Sequence, residues 1–364
     1  MSVAVVFPGQ GSQGVGMLAG LAAAEPLVGE TFAEAHEVLG TDLWALAQGG
    51  PAEALADTRV TQPLMFVAGI AVWRVLRANG CPMPAAVAGH SLGEFAALVA
   101  TEAVPFADAL RLVGRRAALM AEAVPDGEGG MAALIGMDDD AVVALCEETA
   151  AALGGERVVE AVNFNAPGQV AISGHVDALE RAVADARGKG ARKALMLPVS
   201  VPNHSSLMRG AGEALAEAID ALAWSMPVVP LVQNEPATAP GSLEELLERL
   251  RRHVYSPVRW TRCVETLRDV HGATSIIEAG PGKVLAGLGK RIDRALPTLP
   301  VESPETLAAA LEAAASAAAS AAASAAACAP ETGTASDPAS NASNASNASN
   351  ASNASNATDM RTRT

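Results

Sequence analysis

The pentapeptide Gly89-His90-Ser91-Leu92-Gly93 combines residue types and a spacing that suit covalent, nucleophilic chemistry. It fits the pattern G-x-S-x-G, in which small glycines permit a sharp turn that lifts a serine hydroxyl off a strand end. A short apolar run, residues 85–89, precedes Ser91, and helix-forming residues 94–100 follow it. This order predicts strand, turn and helix, with Ser91 at a helix N-terminus whose dipole favours an oxyanion. The same pentapeptide also arises by chance in glycine-rich chains.

A base for this serine must come from elsewhere in the chain, because a hydroxyl becomes a good nucleophile only when a neighbour takes its proton. Among the six histidines, His204 is the best candidate, since it lies in a loop, residues 201–205, that follows a predicted inserted module. His90 is adjacent to Ser91, and we interpret it as a packing or supporting residue. His36, His175 and His271 are interpreted as structural.

Three arginines, Arg111, Arg115 and Arg116, stand among apolar residues in a helix-like stretch, residues 106–123. One interpretation is a solvated basic face of that helix. A buried arginine would instead indicate an acidic substrate, because the planar guanidinium binds a carboxylate through two parallel hydrogen bonds. The residues alone leave both interpretations open.

The elements that position these side chains alternate between strands and helices. Residues 3–7 are a β-branched run that ends in Pro8-Gly9-Gln10-Gly11-Ser12, as in a buried strand followed by a tight loop. The further elements predicted outside the module are a buried helix at 62–78, a helix near 207–222, strands near 228–232 and 275–278, and a helix from 283. This alternation predicts an α/β fold.

Residues 126–197 follow a different pattern, with turn residues at both limits. Its predicted elements are a strand at 131–136, a helix at 138–153, strands at 157–164 and 169–173, a helix at 176–187 and a strand at 192–197. The order β-α-β-β-α-β predicts a ferredoxin-like subdomain inserted into the larger domain. The predicted domains are therefore residues 1–125 with 198–304, residues 126–197, and a tail, residues 305–364.

The predicted tail differs from the rest of the chain in composition. It begins alanine-rich, which favours a helix on propensity alone. A Ser-Asn-Ala triplet repeat then runs to Asn356, and it is predicted to be disordered because it has no large apolar side chains to bury.

Composition and charge exclude some classes of function. The 364 residues carry a net charge of −15 with a pI near 4.8, which argues against binding of nucleic acid or of an anionic membrane. The four cysteines are far apart and show no metal-ligand spacing, so we expect free thiols and no metal site. No basic segment precedes the first apolar run, and no apolar stretch is long enough to cross a bilayer. A cytoplasmic location is expected.

Four motifs, in this order, resemble the signatures of bacterial malonyl-CoA:acyl carrier protein transacylases. They are residues 7–13 (FPGQGSQ), 89–94 (GHSLGE), 163–169 (NFNAPGQ) and 278–282 (EAGPG). The resemblance covers residues 3–295, and four ordered motifs are far more specific than one serine turn. It implies a large α/β-hydrolase-like acyltransferase domain that contains the ferredoxin-like subdomain.

The resemblance also implies the roles of particular residues. Ser91 and His204 take the positions of the family's nucleophile and base. The backbone N–H groups of Gln10 and Leu92 form the oxyanion hole, and Arg116 binds the malonyl carboxylate. The choice of Arg116 over Arg115 rests on its spacing from Met120 and the following residues 121–125.

His253 stands where family members often have glutamine. In the family this residue orients the catalytic histidine through its main-chain carbonyl, so a changed side chain should be tolerated. A second imidazolium near His204 would nevertheless lower the pKa of that histidine.

The implied reaction moves a malonyl group from malonyl-CoA to the phosphopantetheine thiol of acyl carrier protein through a malonyl-serine, for fatty acid biosynthesis, in a monomer without a bound cofactor. Carrier proteins are acidic, so a basic landing area is expected. Two clusters qualify: Arg187, Lys189, Arg192 and Lys193; and Arg249, Arg251, Arg252, Arg259 and Arg262. The alternative interpretation of each cluster is ordinary solvated surface.

Other activities remain open. Within the family they are an acyltransferase that serves a polyketide synthase or a malonate decarboxylase. A serine esterase shares the elbow but would leave the inserted module and a carboxylate-binding arginine unexplained. A non-catalytic carrier-docking subunit would not need the intact Ser91, His204 and Arg116.

Overall fold

The computed structural model of the protein describes residues 2–327. Its strands are β1 (Ser2–Phe7), β2 (Ala86–Gly89), β3 (Gly129–Ile135), β4 (Val159–Ala166), β5 (Gln169–His175), β6 (Lys193–Met196), β7 (Leu231–Val232), β8 (Ala273–Ala279) and β9 (Thr298–Val301). Its first seven helices are α1 (Ala19–Ala24), α2 (Leu27–Leu39), α3 (Leu43–Gly49), α4 (Ala52–Ala56), α5 (Thr58–Ala78), α6 (Gly93–Ala100) and α7 (Phe106–Glu122). The later ones are α8 (Asp139–Ala152), α9 (Val176–Ala186), α10 (Arg209–Asp220), α11 (Leu243–Arg252), α12 (Trp260–Asp269), α13 (Val284–Ile292) and α14 (Pro304–Ala327).

The larger sheet has five parallel strands in the order β7-β2-β1-β8-β9. Alternate residues of β1 point to opposite faces: Val5 and Phe7 join an apolar cluster that includes α5 and α6. Ala4 and Val6 join a second cluster, with α12 and α13. Apolar helices therefore cover both faces of this sheet, as parallel sheets require.

The carboxyl edge of this sheet brings two loops together. β1 and β2 are neighbours in register, with Phe7 opposite Gly89, so the loop after β1 meets the turn after β2. The backbone N–H of His90 donates to the Phe7 carbonyl at 2.9 Å. In open α/β sheets this edge is where ligands bind.

The smaller sheet is antiparallel, in the order β4-β5-β3-β6, and helices α8 and α9 supply its apolar core. This arrangement confirms the predicted ferredoxin-like subdomain within an α/β protein. Backbone hydrogen bonds join it to the larger domain, from Phe164 N–H to the Val258 carbonyl at 2.9 Å and from Val258 N–H to the Val162 carbonyl at 2.8 Å. Subdomain residues such as Met131 and Asn163 line the cavity described below, so the subdomain forms one side of the site.

Helix α14 begins where the predicted tail begins. Leu307, Ala310, Ala314 and Ala317 of this helix are buried in the larger apolar cluster, so its first turns belong to the core. The division of the chain into the three predicted domains stays a prediction. The triplet repeat predicted to be disordered lies outside the described residues. No helix within residues 2–327 has the length and apolarity that a membrane crossing requires.

Candidate active site

Ser91 occupies a sharp turn between β2 and α6, with a φ of +51°. The flanking glycines are required by close packing: a Cβ on Gly89 would lie 1.9 Å from the Gly93 carbonyl carbon. A Cβ on Gly93 would lie 2.1 Å from the Phe7 carbonyl oxygen. Only glycine fits at both positions, and the turn holds the serine at the carboxyl edge of the sheet.

His204 lies beside this serine although the two are far apart in sequence. Its Nε2 is 2.6 Å from Ser91 Oγ. On the other side of the ring, Nδ1 is 2.9 Å from the Ser256 carbonyl oxygen and 3.2 Å from the His253 carbonyl oxygen. Because carbonyl oxygens only accept, Nδ1 carries the ring proton and Nε2 is free to accept from the serine hydroxyl.

Burial determines the charge of His204. The residue is 2% exposed, and burial, together with the positive charge of Arg116 and the nearby His90, lowers its pKa to about 3. The two carbonyl contacts at Nδ1 oppose this shift. His204 is therefore neutral near pH 7, which is the state that a general base needs.

His253 begins a short 3-10 helix, His253–Tyr255, and its main chain contributes one of the carbonyls at His204. Its own ring is buried edge-on against the His204 ring, with centroids 5.6 Å apart. Burial and the charge of Arg116 lower the pKa of His253 well below its usual value, so this ring is neutral as well. The structure thus places a neutral imidazole, and not an imidazolium, beside His204.

Arg116 is buried on α7 and reaches the same serine. Its Nη2 donates to Ser91 Oγ at 3.2 Å and its Nη1 donates to Gln62 Oε1. The guanidinium carbon lies 5.5 Å from the centre of the Phe95 ring. Burial lowers the pKa of Arg116 to about 9, with the Glu94 carboxyl opposing, so the side chain is charged near pH 7.

The other arginines of α7, Arg111 and Arg115, are exposed and line a surface hollow away from the serine. The geometry therefore separates the three arginines that the sequence alone left open. Arg116 is the buried member, and its guanidinium faces the serine hydroxyl.

The backbone N–H groups of Gln10 and Leu92 lie in the two loops that meet at the sheet edge. Neither donates a hydrogen bond to another group within residues 2–327. The N–H of Ser91, in contrast, donates to Asn234 Oδ1 at 2.7 Å. Gln10 and Leu92 therefore have donors available to an oxyanion, as the resemblance implies.

A cavity of about 200 Å³ collects these groups. Ser91, His204, Gln10, Leu92 and Arg116 all line it. The predicted site residue that does not line the cavity is His253, whose main-chain carbonyl oxygen contacts His204 Nδ1. The apolar residues on its wall include Met120, Met131, Ala171, Leu197, Val199, Val284, Leu285 and Leu288.

Known proteins share this sequence and fold. A family model described as an acyl transferase domain matches residues 4–296. A malonyl CoA-acyl carrier protein transacylase of Salmonella typhimurium strain LT2 is 50% identical over 308 residues, which cover 85% of this chain and 98% of that protein. The chain belongs to the malonyl CoA-acyl carrier protein transacylase family. The resemblance inferred from the four motifs is thereby confirmed.

Solved structures of this transacylase family agree with the fold. A malonyl CoA-acyl carrier protein transacylase from Coxiella burnetii has a TM-score of 0.83 at 41% identity, over 86% of this chain and 97% of that one. A malonyl-transacylase in complex with its type II PKS acyl-carrier protein has a TM-score of 0.83 at 45% identity, over 86% of this chain and 100% of that one.

Sequence reasoning missed several residues that contact the transacylase-like site. Gln62 accepts a hydrogen bond from Arg116, and Ser256 supplies the nearer of the two carbonyl oxygens at His204 Nδ1. The side chain of Asn234 accepts a hydrogen bond from the backbone N–H of Ser91. His90 was interpreted as a packing or supporting residue, and its Nε2 lies 2.7 Å from Asn165 Oδ1. A signal for Asn234 was available, because it lies two residues after the end of β7 and the carboxyl ends of parallel strands share an edge.

Proposed function

We propose that the protein transfers a malonyl group from malonyl-CoA to the phosphopantetheine thiol of acyl carrier protein, for fatty acid biosynthesis. One observation carries the proposal: Ser91 Oγ lies 2.6 Å from a neutral His204 Nε2 and 3.2 Å from the buried guanidinium of Arg116. A serine with a base is suited to carry an acyl ester. A buried arginine within reach of the same oxygen is suited to an acyl group that ends in a carboxylate.

In the first half-reaction, Ser91 Oγ attacks the thioester carbonyl carbon and gives its proton to His204 Nε2. The N–H groups of Gln10 and Leu92 bind the oxyanion of the tetrahedral intermediate. The carbon–sulfur bond then breaks, and the proton on Nε2 passes to the departing CoA sulfur. Malonyl remains as an ester on the serine.

The second half-reaction repeats these steps with a new thiol. The pantetheine thiol of the carrier gives its proton to His204 Nε2 and attacks the ester carbonyl. The carbon–oxygen bond breaks, and Ser91 Oγ takes the proton back. Throughout, the Ser256 and His253 carbonyls hold the Nδ1 side of the ring, so Nε2 stays aimed at the reacting atoms.

The carrier is proposed to dock on the basic cluster Arg187, Lys189, Arg192 and Lys193. These side chains are exposed on the subdomain, and Lys189 is the member that pairs with an acid, Glu148. In the second cluster, ion pairs join Arg249 to Glu245, Arg251 to Asp220, Arg259 to Glu235 and Arg262 to Glu265. Paired arginines offer less net charge to an acidic partner.

The experiment that tests the function follows the acyl group. The protein is mixed with malonyl-CoA, and the malonylated residue is located by peptide mapping. Holo acyl carrier protein is then added. We expect a malonyl adduct on Ser91 that moves to the carrier. An adduct that water removes before the carrier can take it would favour an esterase instead.

A second carrier system is supported by one finding, the likeness to the malonyl-transacylase solved with a type II PKS acyl-carrier protein. We therefore include a polyketide carrier as an alternative acceptor, and comparing transfer rates to the two carriers tests it.

The proposal also includes a cytoplasmic location, a monomeric state and the absence of a bound cofactor. Cys81, Cys146 and Cys263 are free and buried, which is consistent with a reducing compartment.

A further inference from the structure

The turn that carries Ser91 is strained, and its own residues do not account for its stability. Serine at a φ of +51° lies in the left-handed region, which is strained for a non-glycine residue and persists only where the surroundings hold it. The backbone N–H of Ser91 also needs a hydrogen-bond partner. Asn234, which follows β7, supplies that partner.

The side chain of Asn234 forms hydrogen bonds to the backbone on both sides of the turn. Its Oδ1 accepts from the Ser91 N–H at 2.7 Å, and its Nδ2 donates to the Gly89 carbonyl at 2.5 Å. One primary amide thus ties together the residues before and after His90. The residue is 2% exposed, so both hydrogen bonds lie in a region of low dielectric where they are strong.

Asn234 is itself fixed by α6, the helix that the turn begins. Its backbone N–H donates to Glu94 Oε2 at 2.7 Å, and the neighbouring Gln233 side chain donates to Glu94 Oε1 at 3.2 Å. Because β7 pairs with β2, the strand end that carries Asn234 is also held by the sheet. The amide is therefore anchored independently of Ser91.

We propose, on the basis of the function proposed above, that Asn234 is a positioning residue for acyl transfer. It holds Ser91 in the left-handed conformation that directs Oγ to His204. It also occupies the Ser91 N–H, so that the free donor after the serine is the N–H of Leu92. An amide is required, because a side chain must accept at one atom and donate at another to bridge the turn.

The test measures how fast Ser91 reacts, using a fluorophosphonate, whose phosphorus forms a bond to Ser91 Oγ as fluoride leaves. This probe reports the reactivity of Ser91 with no need of an acyl-CoA. A wild-type protein that reacts with the probe but not with malonyl-CoA would therefore contradict the proposed function without deciding the role of Asn234.

In Asn234→Ala, we expect labelling that is slower by roughly 10- to 100-fold, the scale that misplacement of a reacting group produces. All molecules should still become labelled, and malonyl transfer should lose kcat with little change in KM. Wild-type rate with full labelling would overturn the proposal. Wild-type rate with a reduced labelled fraction would also overturn it, since Asn234 would then support folding alone.

Two further variants complete the test. Gln233→Ala removes the Gln233 hydrogen bond to Glu94 but leaves both hydrogen bonds from Asn234 to the turn, so it should label clearly faster than Asn234→Ala. Asn234→Asp keeps the acceptor for Ser91 and loses the donor to Gly89, so its rate should fall between wild type and alanine. If the alanine variant does not fold, the aspartate variant decides, and a wild-type rate there would contradict the two-sided bridge.

Discussion

Two walls of the same cavity differ in whether their buried polar atoms have hydrogen-bond partners. On the nucleophile wall, formed by Ser91 and His204, the Ser91 N–H, the Ser91 hydroxyl and His204 Nδ1 all have hydrogen-bond partners. On the acyl wall, formed by Arg116, Asn163 and Asn203, one buried polar atom of each side chain has no hydrogen bond to the described residues. These atoms are Arg116 Nε, Asn163 Oδ1 and Asn203 Oδ1.

This difference assigns separate tasks to the two walls. The nucleophile wall is ordered by the protein itself, so the serine and base are in place before an acyl group arrives. A buried polar atom without a partner costs about 1–3 kcal/mol, and a ligand that supplies the partner recovers that cost. The acyl wall is therefore the region expected to select the substrate.

The largest expected effects come from breaking the nucleophile wall. Ser91→Ala should abolish malonyl labelling, because no other hydroxyl replaces Oγ. His204→Ala should slow both half-reactions by about 10²–10⁴-fold, the usual loss when a positioned base is removed. Rapid-quench measurement of the acyl-enzyme checks both. A label that persists in Ser91→Ala would place the nucleophile elsewhere.

Breaking the acyl wall should change selectivity rather than chemistry. Arg116→Ala leaves the malonyl carboxylate buried without a partner, at a cost on the order of 2–5 kcal/mol, or roughly 30-fold or more in kcat/KM. Acetyl-CoA has no such carboxylate, so its transfer should be unchanged or faster. The measurement is the malonyl-to-acetyl ratio of kcat/KM.

Arg111→Ala is the matched control for that ratio, because Arg111 lies on the same helix and is exposed. We expect its ratio to equal that of wild type. If Arg116→Ala also left the ratio unchanged, the carboxylate would bind elsewhere on the cavity wall.

The sequence predicted the reacting groups better than it predicted what holds them. A G-x-S-x-G turn and alternating strands are local patterns, so Ser91 and the ferredoxin-like subdomain were accessible from residue types and spacing. The partners of the turn were not, because Asn234 lies 143 positions from Ser91 in the chain. Its place after a predicted strand indicated the carboxyl edge of the sheet, but the contact with Ser91 follows only from the strand order, in which β7 neighbours β2.

Burial was similarly hidden from the sequence. Arg111, Arg115 and Arg116 are equivalent as residue types, and the fold alone decides which one enters the cavity. The alanine-rich stretch from residue 305 was assigned to a tail, with a helix expected on propensity alone, yet small side chains such as Ala310 and Ala314 are buried in the core beside the sheet. Shape complementarity, which composition does not reveal, explains this difference.

The pH dependence of acylation should sharpen the description of the nucleophile wall. His204 works as a base when neutral, and its pKa is lowered to about 3, so the acylation rate should stay nearly constant from about pH 8 to about pH 5.5. A histidine with an ordinary pKa would lose roughly tenfold over that range. Single-turnover acylation rates across this range provide the measurement.

One other group titrates in that range and requires a control. Burial raises the pKa of Glu94 to about 7, so this carboxyl gains a proton as the pH falls. A change in rate near pH 7 that disappears in Glu94→Gln belongs to Glu94. A tenfold loss that persists in Glu94→Gln would contradict the lowered pKa of His204.

The smallest expected effect lies outside both walls, in the C-terminal segment. Deletion of residues 329–364 should change acyl transfer by less than about twofold, since the family match ends at residue 296 and both walls are built before it. A cut after residue 303 is the contrasting variant, because it also removes Leu307 from the core, and burial of one leucine contributes about 1.5–3 kcal/mol. We expect that cut to lower the Tm while the first deletion leaves it unchanged. Loss of transfer to carrier protein in the first deletion, with malonyl labelling of Ser91 intact, would show that the deleted segment takes part in carrier binding.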